Sequence, residues 1–252
     1  MSSMNYEILG AKEGFPVVFG HGWGRDHRDF IPVAELLGDR ARIIALDFPG
    51  FGKSARPEAA WDTQDYAVAT RALLENELGV TRFIWVGHSF GGRVGLRLAQ
   101  MPDSPVAHLF IVAGAGVPRQ VPLAKRLRGK WRGWRFKRQK AAAGREEDII
   151  ALEKKFGSAD YVESRNSGLR DIFIKTVQED QSDLLGTIRC PTTLVYGERD
   201  TETPPEIGQS LHRLIPQSTY LECPEFDHHS ILSRGRHQLT LMLREALQEL
   251  GA

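Results

Sequence analysis

The residues of this chain that could do chemistry together are one serine, one aspartate and a pair of histidines. Gly87-His-Ser-Phe-Gly91 fits the pattern Gly-x-Ser-x-Gly and stands between a short apolar run, 83–86, and a helical pattern, 90–100. In that setting the chain turns sharply and lifts the Ser89 hydroxyl above a strand end. The helix N-terminus behind it offers unpaired N–H groups that favour developing negative charge. A serine hydroxyl is a weak nucleophile, so it needs a base, and the base needs an orienting acid. Asp200, in Tyr196-Gly-Glu-Arg-Asp200, follows the apolar run 192–196. It is therefore expected on the same strand-end edge as Ser89. Eight histidines compete for the role of base. His21 and His88 flank glycines and are expected to shape turns. His27, His108, His212 and His237 fall in helical, strand or surface contexts. His228 and His229 follow the last apolar run, ahead of a C-terminal helix, and one of them is expected to be the base.

The elements that must position these groups are legible as alternating patterns. Apolar runs at 16–20, 41–46, 83–86, 108–112, 192–196 and 218–222 read as strands. They lack polar alternation, so both faces are buried, which with helices between them implies a mostly parallel sheet covered on both sides. Helices are predicted over 63–78, 90–100 and 235–250. In the first, Tyr66, Ala69, Leu73, Leu74 and Leu78 follow helical spacing, Asp62 or Thr63 can cap its start, and Gly79 follows its end. Residues 118–187 break the alternation with helical character and no convincing strand. The expected organisation is an α/β core of 1–117 and 188–252 interrupted by a helical lid, 118–187, over the carboxyl edge of the sheet.

With these placements, the sequence from about 17 to 247 resembles the α/β-hydrolase family. The motifs that carry the resemblance are His21-Gly-Trp-Gly24, Asp47-Phe-Pro-Gly-Phe-Gly-Lys-Ser54, Gly87-His-Ser-Phe-Gly-Gly92, Gly197-Glu-Arg-Asp200 and the Asp227-His228 loop. The chain order of serine, acid and histidine is also the family's. The resemblance implies the base at His228, since Asp227-His228 with Leu232 matches the family's Gly-His pair and following apolar position. Asp227 replaces the usual glycine. The resemblance further implies an oxyanion hole built from the backbone N–H groups of Trp23 and Phe90.

A serine at the elbow implies acyl transfer, and the first expectation is a carboxylic ester hydrolase acting on small to medium acyl groups. Thioesterase or methyl esterase action on acyl-carrier-protein or CoA-linked substrates, carbon–carbon bond hydrolysis and a receptor-like ligand binder are the alternatives. The His-Gly-Trp-Gly loop resembles that of the pimeloyl-acyl-carrier-protein methyl ester esterases. No cofactor and no metal are expected. The 47–54 loop looks like a phosphate loop but lacks its first glycine, and its proline removes an N–H.

Composition sets the remaining bounds. The chain has 252 residues, 41% hydrophobic and 26% charged, which suits one sizeable folded unit. Two cysteines exclude a disulfide framework. No signal peptide or spanning segment is visible, so a cytoplasmic protein is expected. The net charge of +1 conceals a segregation. Of 33 basic residues, eleven lie between Arg119 and Arg145 with no acid among them, leaving 22 basic against 32 acidic residues elsewhere. There Leu123, Leu127, Trp131 and Trp134 fall at helical spacing among Lys125, Arg128, Arg132 and Arg135. The apolar stripe is expected to line an acyl pocket above Ser89. Arg128, Arg132 and Arg135 are candidate contacts for an anionic partner, an acidic carrier protein or a CoA thioester, with peripheral membrane contact as a further reading. No nucleic-acid motif accompanies the charge.

Overall fold

The structure is a computed structural model that describes residues 4–119 and 122–251. Residues 1–3, 120, 121 and 252, which fall inside the ranges expected above, lie outside the described residues, as does the side chain of Lys125. Seven strands form one sheet: β1 (Tyr6–Gly10), β2 (Pro16–Gly20), β3 (Arg42–Leu46), β4 (Phe83–His88), β5 (Val106–Val112), β6 (Thr192–Gly197) and β7 (Ser218–Cys223). Their order is β1-β3-β2-β4-β5-β6-β7. Only β1 runs antiparallel, pairing Ile8 with Ile44; the other neighbours are parallel. This is the mostly parallel, doubly covered sheet expected from the alternating runs, and the α/β-hydrolase fold that the resemblance implied. The six predicted strands are present, and β1 is an addition.

Side-chain alternation along β4 explains the layering. Phe83 and Trp85 point to one face, into a cluster with Leu73, Val94 and Leu96. Ile84 and Val86 point to the other, into a cluster with Val33, Leu37, Leu239 and Leu243. The first face is therefore covered by α2 (Thr63–Ala72) and α3 (Phe90–Gln100), and the second by α1 (Ile31–Leu37) and the C-terminal helix (Arg236–Glu249). Fully burying one such aromatic or branched side chain contributes roughly 1.5–3 kcal/mol. Asp62 starts α2 with a reciprocal capping box to Asp65.

Between β5 and β6 the described residues form four α-helices, α4 (Leu123–Ala142), α5 (Glu146–Phe156), α6 (Ala159–Asn166) and α7 (Arg170–Gln178), followed by a 3-10 helix, Ser182–Thr187. The four α-helices are held together from inside by Glu153, whose buried carboxylate meets Lys140 at 2.7 Å, Arg170 at 3.0 Å and Arg165 at 3.2 Å. Burial would raise this carboxyl, but hydrogen bonds from Arg170 and Lys140 outweigh it and hold it down to about 2. Arg132, Phe136 and Lys140 of α4, four residues apart, face α5. The Arg132 guanidinium donates to the Lys155 carbonyl at 3.1 Å, and the Phe136 ring lies 5.7 Å from that of Phe156. Leu123, Leu127, Trp131 and Trp134 therefore point outward and are 55–65% exposed. This corrects the expectation that they line an acyl pocket. It also occupies Arg132, whose guanidinium is turned toward the insertion rather than toward a partner.

Candidate active site

At the end of β4 the chain enters α3 through Ser89, whose backbone has φ 48° and ψ −105°. A non-glycine residue in this region stores strain, and the surroundings must enforce it. They do so through close backbone packing. A Cβ on Gly87 would overlap the carbonyl of Gly91, and one on Gly91 would overlap the carbonyl of Gly20. Only glycine on both sides lets α3 approach the sheet so tightly. The Ser89 N–H donates to the Val112 carbonyl at 3.0 Å, and the Gly92 N–H donates to the Ser89 carbonyl at 3.0 Å. Ser89 is the N-cap residue of α3, yet its side chain makes no capping bond. Among the described residues its hydroxyl has no hydrogen-bond partner.

Asp200 lies in the turn after β6, with its carboxylate fully buried. Its Oδ1 accepts the N–H groups of Glu202 and Thr203, both at 2.9 Å. Its Oδ2 accepts the Thr203 hydroxyl at 2.9 Å and His228 Nδ1 at 2.8 Å. Burial alone would raise the Asp200 carboxyl, but His228 and Thr203 outweigh it and hold it below the usual range. Conversely, burial pulls His228 down. The Asp200 hydrogen bond and charge, with Glu202 and Asp160, outweigh it and leave the imidazole raised. With Nδ1 committed to Asp200, Nε2 is the atom available for proton transfer; Glu202 Oε2 lies 3.6 Å from it.

The two histidines separate clearly. His228 is 5% exposed, whereas the His229 side chain is 64% exposed and only approaches Glu202 at 3.8 Å. Asp227, which replaces the family's glycine, braces the turn into the short helix that follows by accepting the N–H groups of His229 and Ser230 at 3.0 and 2.8 Å. His88 supports His228 from below. Its Nε2–H donates to the His228 carbonyl at 2.9 Å. Burial lowers its pKa to about 3, so the ring is neutral.

His21 braces the loop after β2. Its Nε2 accepts the Phe48 N–H at 2.9 Å, so Nδ1 carries the proton and donates to the Gly22 carbonyl at 2.7 Å. Burial lowers its pKa as well. This fixes the turn that carries Trp23. The Trp23 N–H makes no hydrogen bond to other described residues. Phe90 is the first residue of α3, so its N–H has no carbonyl one turn behind it. The Trp23 ring stands edge-on to Phe51, Phe90 and Phe173, with centroids 4.9, 5.6 and 5.0 Å away. Phe173 comes from α7, so this helix of the insertion reaches the carboxyl edge of the sheet. A cavity of about 650 Å³ lined by Val117, Arg119, Arg126, Asp180 and Leu214 lies elsewhere and includes none of these residues.

Asp26, His27 and Asp47 cluster closely enough to suggest a metal site. Their polar atoms are already engaged, however. Asp47 Oδ1 accepts His27 Nδ1 at 2.7 Å and the His27 N–H at 2.9 Å. Its Oδ2 accepts Asn5 Nδ2 at 2.8 Å and the Lys53 N–H at 3.0 Å. The cluster braces the 47–54 loop. Sequence reasoning missed Thr203 and the roles of Glu202 and Phe173. An Asp-x-x-Thr turn starting at Asp200 was the available signal for Thr203, because such side chains bond the backbone ahead.

The alpha/beta hydrolase family model matches residues 17–240. The pimeloyl-[acyl-carrier protein] methyl ester esterase of Chromobacterium violaceum is 28% identical over 250 residues, covering 91% of this chain and 93% of that protein. The dihydrolipoyllysine-residue acetyltransferase component of the acetoin cleaving system of Pseudomonas putida is 36% identical, but over 43% of this chain; the chain spans only 29% of that relative's length. Among solved structures, a thermophilic esterase from Thermogutta terrifontis superposes with a TM-score of 0.71 at 24% identity, covering 99% of this chain and 94% of its own.

Proposed function

Because the chain belongs to the alpha/beta hydrolase family and is a hydrolase, we propose that it cleaves carboxylic esters of small to medium acyl groups through an acyl-enzyme on Ser89. The observation that carries this reading is the buried Asp200–His228 pair, joined at 2.8 Å, on the same strand-end edge as the Ser89 turn. Ser89 Oγ attacks the acyl carbon while its proton passes to His228 Nε2. Asp200 orients the ring and stabilises the imidazolium. The tetrahedral oxyanion is received by the N–H groups of Trp23 and Phe90. Collapse expels the alcohol, which takes the proton back from His228. A water then attacks the Ser89 ester by the same route in reverse, releasing the acid and restoring the hydroxyl. The long or absent serine–histidine contact of an unliganded site tightens when substrate fills it. In this reading residues 118–187 act as a lid, with Leu169 and Phe173 walling the acyl side beside Trp23.

A second reading of the substrate is an ester held on an acyl carrier protein. The full-length similarity to the Chromobacterium violaceum esterase favours it. Hydrolysis of a series of p-nitrophenyl esters tests the first reading. Ser89→Ala should lower kcat by about 10⁴-fold or more, and an unaltered rate would refute the mechanism. Comparing kcat/KM for one methyl ester free and carrier-linked decides between the two substrates.

A further inference from the structure

The outward face of α4 is a ridge without a partner among the described residues. The helix has 20 residues, a length of about 30 Å. Leu123, Leu127, Trp131 and Trp134 lie along one line of it, each more than half exposed. At 100° per residue, Arg126, Lys130 and Lys137 flank that line on one side and Arg128 and Arg135 on the other, with Arg138 inside it. None of these six cations makes an ion pair with another described residue, whereas Lys140 and Arg145 are paired with Glu153 and Asp148. The Arg135 and Arg138 guanidiniums instead lie over the Trp131 and Trp134 rings, at 4.7 and 5.4 Å from their centroids. Between them is an open recess of about 420 Å³.

We propose that this ridge docks the protein on an anionic lipid bilayer, with α4 lying flat in the interface. The arrangement has the features that such a helix requires. The apolar line is narrow and central, so it can enter the acyl boundary while cations on both flanks stay level with the phosphates. Two tryptophans sit where an amphipathic ring is best accommodated, at the headgroup level. No helix among the described residues is long and apolar enough to cross a membrane, so the contact is peripheral. A bilayer is favoured over an acidic protein by shape. A straight convex ridge needs only a deformable plane, whereas a protein would have to present a matching groove about 30 Å long.

Co-sedimentation of the whole protein with vesicles tests this, using phosphatidylcholine mixed with phosphatidylglycerol against phosphatidylcholine alone. Binding is expected to the anionic vesicles and should weaken as salt is raised. Trp131→Ser with Trp134→Ser should lower the partition coefficient by about tenfold or more through lost apolar burial. Lys130→Gln, Lys137→Gln and Arg138→Gln together should do so by a similar factor. All positions are exposed, and circular dichroism with turnover of a small ester reports that each variant is folded. Wild-type protein that stays in the supernatant with anionic vesicles overturns the proposal, as does a folded double tryptophan variant that partitions like wild type. Charge-dependent capture of an acidic acyl carrier protein without vesicle binding would assign the ridge to a protein instead. Neither readout depends on which ester Ser89 cleaves.

Discussion

Replacing Glu153 by glutamine removes a buried charge around which the four helices of the insertion pack. The carboxylate is 1% exposed and takes contacts from Lys140, Arg165 and Arg170 between 2.7 and 3.2 Å. Glutamine keeps the shape but sets an amide NH₂ against donors, and it leaves Lys140 and Arg170 without an anion, while Arg165 keeps its second partner, Glu146. Removing one partner of a buried ion pair costs about 3–5 kcal/mol. The three cations are 20–35% exposed and partly rehydrate, which places the loss toward the lower end, about 3 kcal/mol. For a chain of this size that lowers the midpoint of thermal unfolding by about 6–12 °C. The carboxyl is held down to about 2 from an ordinary 4.5, so its contribution is fully present above the unfolded value and is lost as pH falls through the folded one. The difference in Tm between Glu153→Gln and wild type should therefore be largest near neutrality and shrink below the ordinary glutamate pKa. Calorimetry across pH measures it, and hydrogen exchange over residues 146–178 localises it. A variant that melts within a degree or two of wild type at neutral pH, or a difference that grows on acidification, would refute the reasoning.

Two further outcomes follow from the site. Gly91→Ala should destabilise the protein by about 3 kcal/mol or more and cut activity in the folded fraction. The new methyl meets the backbone of Gly20, which cannot swing aside; urea titration with parallel ester assays checks both effects. The acidic limb of kcat/KM should reflect His228 titrating above its ordinary 6.5, with activity rising as the imidazole loses its proton. Glu202→Gln removes a carboxylate that stabilises the imidazolium, so this limb should move to lower pH; a limb that stays in place would remove Glu202 from the electrostatics of the base.

The sharp turn at Ser89 was legible because its geometry imposes the residues around it. Gly87 and Gly91 are small because α3 packs on backbone, and Ser89 sits between them because the turn exposes it. Asp200 was expected from its position after β6, whereas position after β7 left His228 and His229 open and only the family resemblance pointed to His228, the one that the structure joins to Asp200. Strand β1 was missed because an edge strand needs no continuous apolar run, and every residue of Tyr6–Gly10 is half-buried or exposed. The face of α4 was misassigned for a different reason. Helical spacing identifies the stripe of Leu123, Leu127, Trp131 and Trp134 but not the side of the helix that meets the protein. That side is chosen by Arg132, Phe136 and Lys140, whose partners Phe156 and Glu153 lie in the next helix. Thr203 and His88 act through hydrogen bonds to Asp200 and the His228 carbonyl, which only the folded chain brings within reach.

The central claim is that Ser89 is the nucleophile and that His228, oriented by Asp200, activates it. Labelling with a fluorophosphonate followed by peptide mass spectrometry tests this most directly, because the reagent forms a stable bond only with an activated hydroxyl. The account predicts one adduct, on Ser89, forming at a rate that falls by several orders of magnitude in His228→Ala while His229→Ala labels at close to the wild-type rate. An adduct on a different residue, or Ser89 labelling that is indifferent to His228, would contradict it.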